Sequence, residues 1–212
     1  MRLLRPQGLP GVHKEQQACV REEARRNLQG LLGRLREKEE AQARMKLIPE
    51  TVYPELSCNC YWQDGLAIDC GPRASFPREP ELVLLTHGHY DHCGGVKGKA
   101  LLHEGDWNVK RLNEAFWDFE RPPSIGPLKQ KQVEWNGFSL KVIETPGHTP
   151  GSVCFFDEEN KTLYSGDTLF AEGVGRTDLW GGDEEALAKS LKLIDSLDWE
   201  TLCPGHGPVK RR

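Results

Sequence analysis

Leu82-Val83-Leu84-Leu85-Thr86-His87-Gly88-His89-Tyr90-Asp91-His92 runs from four apolar residues with the profile of a buried strand into three imidazoles and a carboxylate. A strand that stops where such a loop begins can aim alternate side chains at one point. His87 and His89, two apart, face the same way if the backbone stays extended. Asp91 and His92 are then free to serve a second point. Neutral imidazoles and a carboxylate suit zinc, iron or manganese, whereas a structural zinc site draws more often on cysteine. The competing reading is a set of histidines scattered on a polar surface loop.

The remaining histidines argue against scatter. Besides His13 and His103, His148 lies in Thr145-Pro146-Gly147-His148-Thr149-Pro150-Gly151-Ser152 and His206 in Cys203-Pro204-Gly205-His206-Gly207-Pro208. In both, Gly and Pro fix sharp turns that present one side chain rigidly, and each turn follows a plausible strand. Asp167, in Leu163-Tyr164-Ser165-Gly166-Asp167-Thr168, also stands where an apolar strand meets a glycine. Separate strand-to-loop junctions thus carry the polar chemistry.

Taken in order, these motifs resemble the metallo-β-lactamase superfamily: His-x-His-x-Asp-His, a later His, a Gly-Asp and a final His, with Asp69-Cys70-Gly71 upstream. The resemblance covers residues 57–208. Within the superfamily, the runs 145–152, Ser165-Gly166-Asp167-Thr168-Leu169-Phe170, Gly175-Arg176-Thr177-Asp178 and Pro204-Gly205-His206-Gly207 are most similar to the glyoxalase II group, particularly its short hydrolase-like members. It implies an α/β fold, the four-layer αββα sandwich. It also implies one metal ion held by His87, His89 and His148, a second by Asp91, His92 and His206, and Asp167 bridging them. Two dications about 3.5–4 Å apart need a bridging carboxylate and a bridging hydroxide to be tolerable. Asp69 has no ligand role in that scheme; it either accepts an N–H from a ligand histidine or simply forms the turn before Cys70 and Gly71.

At 212 residues the chain has room for one sizeable catalytic domain and not for a large added specificity domain. Its formal net charge of −4 gives no bulk attraction to nucleic acid. No stretch approaches the ~18 apolar residues that span a bilayer. Seven cysteines, an odd number, without a leading apolar segment point to reduced thiols and a cytoplasmic enzyme. Cys58 and Cys60 form a C-x-C that can bind metal, but strand alternation also accounts for them as small buried residues.

Residues 14–44 differ in character. Val20, Ala24, Leu28, Leu31, Leu32 and Leu35 recur mainly at three- and four-residue steps, which reads as an amphipathic helix. Over residues 1–46 basic side chains exceed acidic ones by about five, read as the solvated face of a packed helix. We therefore expect an N-terminal helical segment, 1–44, added to a catalytic domain, 45–212. Strands are expected at 45–48, 58–62, 66–69, 81–86, 100–103, 132–135, 140–144, 152–157 and 162–165, helices at 107–119 and 183–197, and a loop at 121–127. Strands followed by a helix, twice over, point to an α/β sandwich. Relatives commonly carry a helix between Asp69-Cys70-Gly71 and Glu81, where this chain has Pro72, Pro77 and Pro80 and little room for one. The segment 14–44 is a candidate to cover the sheet face so exposed, or to pair with its copy in a homo-oligomer.

The reading favoured for the reaction is hydrolysis of a small thioester or ester, with metal-bound hydroxide as nucleophile, Asp91 orienting it and the first metal polarising the carbonyl oxygen. A thiol of pKa ~8.5 departs as thiolate without a proton donor, so metals alone suffice, whereas an amide leaving group needs a general acid. The β-lactamases of the superfamily usually place a cysteine where this chain has Asp167, and its nucleases rely on added domains to grip a backbone. The main rival is a persulfide dioxygenase, which holds a single iron at the positions matching His87, His148 and Asp167. A metal-holding binding or redox-sensing protein is a third reading. Arg176 is a candidate for gripping a substrate carboxylate, or for an internal ion pair with Asp178 or Asp183.

Overall fold

The computed structural model describes residues 29, 46–48, 58–114 and 118–212. The helix expected over 14–44 lies outside them, apart from Gln29. Among the described residues there are two six-stranded sheets. In the first, β1 (Lys46–Ile48), β2 (Cys60–Gln63), β3 (Leu66–Ile68), β4 (Leu82–Leu84), β5 (Ala100–Leu102) and β6 (Ile125–Pro127) lie side by side in chain order. The first three pair antiparallel and the rest parallel. The second sheet runs from β7 (Gln132–Trp135) through β8 (Phe138–Glu144), β9 (Val153–Asp157) and β10 (Thr162–Gly166) to β13 (Thr201–Pro204) and β14 (Lys210–Arg211). Its one parallel pair, β10 with β13, is joined across the helix Glu184–Asp195. A small hairpin, β11 (Leu169–Phe170) with β12 (Gly173–Val174), stands apart.

Two tight turns set the antiparallel registers. Asp64-Gly65 between β2 and β3 has φ of 44° and 86°, and Asn136-Gly137 between β7 and β8 has 43° and 89°. Positive φ at both central residues gives a turn whose twist matches that of the strands, and Asp-Gly and Asn-Gly adopt it most readily.

Strand alternation then sorts the side chains into layers. Leu66, Ile68, Leu82 and Leu84 face inward onto Leu140, Val153, Phe155 and Tyr164 of the other sheet. Ala67, Val83, Leu85 and Ala100 face outward, where Cys93 and Val109 of the short helices Tyr90–Cys93 and Val109–Asn113 cover them. On the far side Cys154, Phe156, Leu163 and Leu202 pack under Ile194 and Trp199. Because β4 is buried on both faces it reads as a continuous apolar run, each Leu contributing about 1.5–3 kcal/mol of burial. The result is the expected αββα sandwich. Between Asp69 and Glu81 there is no helix; turns replace it, and Ala74 and Phe76 fill the outer core from that loop.

Two elements depart from the sequence expectation. The helix anticipated over 107–119 is confined, among the described residues, to Val109–Asn113, because a 3-10 turn at Glu104–Asp106 precedes it and Asn108 caps it by accepting from the Arg111 N–H at 3.2 Å. The loop expected at 121–127 contains β6. Its proline is tolerated because β6 forms the sheet edge, while Ile125 is buried. The helix at Glu184–Asp195 begins as expected, Asp183 Oδ1 accepting from the Ala186 N–H at 2.9 Å. Among the described residues no helix is long and apolar enough to cross a membrane.

Candidate metal centre

The C-terminal ends of β3, β4, β8, β10 and β13 lead into Asp69, the loop His87 to His92, His148, Asp167 and His206. The structure brings these side chains together. His87 Nε2 lies 3.1 Å from His89 Nδ1, which lies 3.0 Å from His148 Nε2. Beside this trio, His206 Nε2 is 3.1 Å from Asp91 Oδ2 and 3.3 Å from His92 Nε2, with 3.6 Å closing the triangle between His92 Nε2 and Asp91 Oδ2. The Asp167 carboxylate reaches both groups: Oδ1 is 3.2 Å from His92 Nε2, and Oδ2 is 3.6 Å from His148 Nε2 and 3.4 Å from His206 Nε2.

This donor set fits a cation. Tetrahedral zinc with Zn–N near 2.05 Å separates its nitrogens by about 3.3 Å, close to the spacing of the trio. A neutral imidazole has one N–H, and that of His148 is engaged at Nδ1 by the Arg176 carbonyl at 2.8 Å, leaving Nε2 a bare lone pair aimed at its neighbours. Asp167 Oδ1, 3.2 Å from His92 Nε2, is buried without a hydrogen-bond partner. Lone pairs facing each other at these distances repel unless positive charge lies among them.

Electrostatics divide the two groups. Burial and the adjacent imidazoles push His87 well below the usual histidine range and His89 down to about 4, so both are neutral at pH 7. Burial also disfavours charge on His92 and His206, but the carboxylates outweigh it: His92 is held well up by Asp167, Asp91 and Asp69, and His206 is raised to about 10 by hydrogen bonds to Asp167 and Asp91. Asp167 and Asp91 shift down, burial opposing and His92 and His206 prevailing. In the metal-free chain the second group therefore carries protons across the neutral range. A metal ion must displace them, so uptake at Asp91, His92 and His206 is expected to release protons, and affinity there should fall as pH drops below about 10. Calorimetric metal titration in buffers of different ionisation enthalpy measures this; heats independent of buffer would contradict it.

The loop His87 to His92 is fixed by residues that carry no obvious motif. Asn113 accepts from the Tyr90 N–H at 2.7 Å and donates to the Gly88 carbonyl at 2.9 Å. Asp106, fully buried, accepts from the Gly88 N–H and from the loop after His148. Neither stands out in the sequence, where Asp106 follows Glu104-Gly105 and Asn113 falls within the helix expected over 107–119. Asp69 accepts from Thr86 N–H and Oγ1 and lies 2.9 Å from His92 Nδ1, which orients that ring so that Nε2 faces the cluster. Arg176 makes a bidentate pair with Asp178, both contacts 2.7 Å and solvent-exposed, so the ion-pair alternative is the one realised. Cys58 and Cys60 are buried, their sulfurs 3.7 Å apart. Tyr90 stacks edge-on against Phe119. Phe170, on the β11–β12 hairpin, stands 6.1 Å from the His206 ring.

Two stacked mixed sheets with a histidine and carboxylate cage at one end of their strands define a metallohydrolase class of protein. Residues 56–206 match the Metallo-beta-lactamase superfamily, and the chain belongs to it. It is 31% identical over 192 residues to a hydroxyacylglutathione hydrolase, GloC, of Haemophilus influenzae, spanning 77% of this chain and 90% of that one. Among solved structures it is similar to TTHA1623 in a di-iron-bound form (TM-score 0.61, 31% identity, 76% of this chain and 93% of that one). It is also similar to the B3 metallo-beta-lactamase BLEG-1 (TM-score 0.62, 28% identity, 79% and 93%).

Proposed function

We propose that the chain hydrolyses a small thioester or ester with two divalent ions, zinc by first preference, held by His87, His89 and His148 and by Asp91, His92 and His206. The observation that carries this reading is the reach of Asp167, whose two oxygens lie within 3.2–3.6 Å of ligand nitrogens from both groups. Ions bound there would draw a nucleophile of hydroxide strength from water near neutral pH and polarise the acyl carbonyl. Asp91, with its side chain 22% exposed, is within reach of solvent and would accept and orient the proton of an entering water. His87, His89, His92 and His148 are buried, which shields them from bulk solvent. A thiolate leaving group needs no proton donor, which suits a site of this composition. The likeness to a hydroxyacylglutathione hydrolase supports the thioester, and the six described cysteines, all unpaired, support a reducing, cytoplasmic setting.

The test is elemental analysis of protein purified without oxygen or added metal, paired with assays on acylglutathione thioesters and on glutathione persulfide. Close to two divalent ions per chain and thioester turnover are expected. A single iron per chain, with oxygen uptake on the persulfide and no thioester turnover, would replace this reading with a mononuclear iron dioxygenase.

A further inference from the structure

Asp106 lies in the 3-10 turn that follows β5 and is completely shielded from solvent. Its Oδ2 accepts from the Gly88 N–H at 2.8 Å and from the Thr149 hydroxyl at 2.7 Å, and its Oδ1 accepts from the Gly151 N–H at 2.6 Å. Gly88 separates His87 from His89, and Thr149 follows His148. One carboxylate therefore ties together the two loops that deliver all three nitrogens of the histidine trio. Hydrogen bonds to an ionised acceptor are shorter and about twice as strong as neutral ones, so the tie is stiff. The other group leans elsewhere, His92 Nδ1 resting on Asp69 at 2.9 Å.

We propose that Asp106 is the positioning residue of the three-histidine metal position, setting the affinity of that position and not of its neighbour. The inference builds on the two-metal reading, but needs only that the trio bind an ion. Asp106→Asn is the informative change. Its amide can keep an oxygen toward Gly88 and Thr149 only by turning NH2 against the Gly151 N–H, so the tie is broken without loss of volume. Thr149→Val, which deletes the hydroxyl that donates to Asp106 and also meets Ser152 Oγ at 2.7 Å, is the companion that leaves both backbone donors to Asp106 in place.

The 212-residue chain, stripped by chelation, is titrated with cobalt(II) alone, following its d–d absorption and the heat of binding, and the melting temperature of the metal-free protein is recorded beside it. His206→Ala, which removes a ligand of the second group, identifies which binding event is which. Asp106→Asn should weaken the event that survives His206→Ala by about 10- to 100-fold and leave the other in place, with Thr149→Val shifting the same event less. Equal weakening of both events, or a lower melting temperature with unchanged affinities, would overturn the proposal. Should Asp106→Asn fail to fold, Thr149→Val decides by the same criterion. If the unaltered chain takes up one equivalent, the two-metal reading fails, and Asp106 is then judged on that single event.

Discussion

On the proposed two-metal reading, Asp167→Asn is expected to lower kcat/KM by at least about 10³-fold and to reduce metal content from two ions per chain toward one. The loss should exceed what removing a single oxyanion donor costs, because the substitution strikes both halves of the centre. Two dications 4 Å apart repel by roughly 16 kcal/mol at an effective dielectric of 20, and a carboxylate between them offsets much of it. Asparagine carries no charge and offers a single oxygen, so it can serve His92 or the pair His148 and His206, not all three as Asp167 does. In the metal-free chain the same change should bring His206 down from about 10, since burial opposes charge on that ring and the hydrogen bond to Asp167 does most to sustain it. Elemental analysis, thioester kinetics and an NMR titration of the His206 ring report the three consequences. Unchanged metal content with unchanged turnover would remove Asp167 from the bridge.

Gly205→Ala is expected to cost metal binding and activity about 10²-fold with a much smaller effect on the fold. A Cβ at residue 205 would stand 2.6 Å from His92 Cε1 and closer still to Asp167 Oδ1. The backbone has little freedom to retreat: Gly205 N–H donates to the Gly166 carbonyl at 2.8 Å, and its carbonyl accepts from the Asn59 N–H at 2.7 Å. The methyl therefore acts as a wedge between two side chains of the cage. Overpacking of about 1–3 kcal/mol in a chain of this size corresponds to roughly 2–12 °C in melting temperature. Gly98→Ala, where the nearest atom to the new methyl is the Pro80 carbonyl oxygen at 3.6 Å, provides the comparison and should alter neither metal content nor rate. Metal content and metal-free melting curves of the two variants separate a wedge in the cage from a general loss of packing.

The side chains gathered in the cage were legible because each sits at a local irregularity. Imidazoles directly after an apolar strand, or held between prolines and glycines, have no packing use that competes with a polar one. The sandwich was legible for a related reason: β4 is apolar at every position, and a strand with such a profile must be covered on both faces. What escaped was everything whose meaning is set across space. Asp106 has the look of a turn former in Glu104-Gly105-Asp106, and its importance comes from donors 18 and 45 residues away. The edge strand β6 hid behind Gly126 and Pro127, residues that argue for a loop unless the sheet is known to end there. Arg176 drew attention through its guanidinium, yet that group is satisfied two residues along the chain, and it is the carbonyl of Arg176 that serves the site. The Asp-Gly and Asn-Gly turns, by contrast, are a local signal, and they set the registers of two hairpins.

The place of β13 in its sheet bears on how the molecule is made. That strand lies between β10 and β14, parallel to β10, and it delivers Pro204-Gly205-His206 to the cage only after the helix Glu184–Asp195 has crossed over. The histidine trio sits on loops that precede that crossover, His87 and His89 after β4 and His148 after β8, whereas His206 follows it. On the proposed reading the first ion can load before β13 is seated beside β10 and the second only afterwards, fastening that strand as it binds. An ion present at a thousand times its dissociation constant adds about 4 kcal/mol to the folded state. Cells starved of metal should then accumulate a form whose C-terminal strands yield first to proteases.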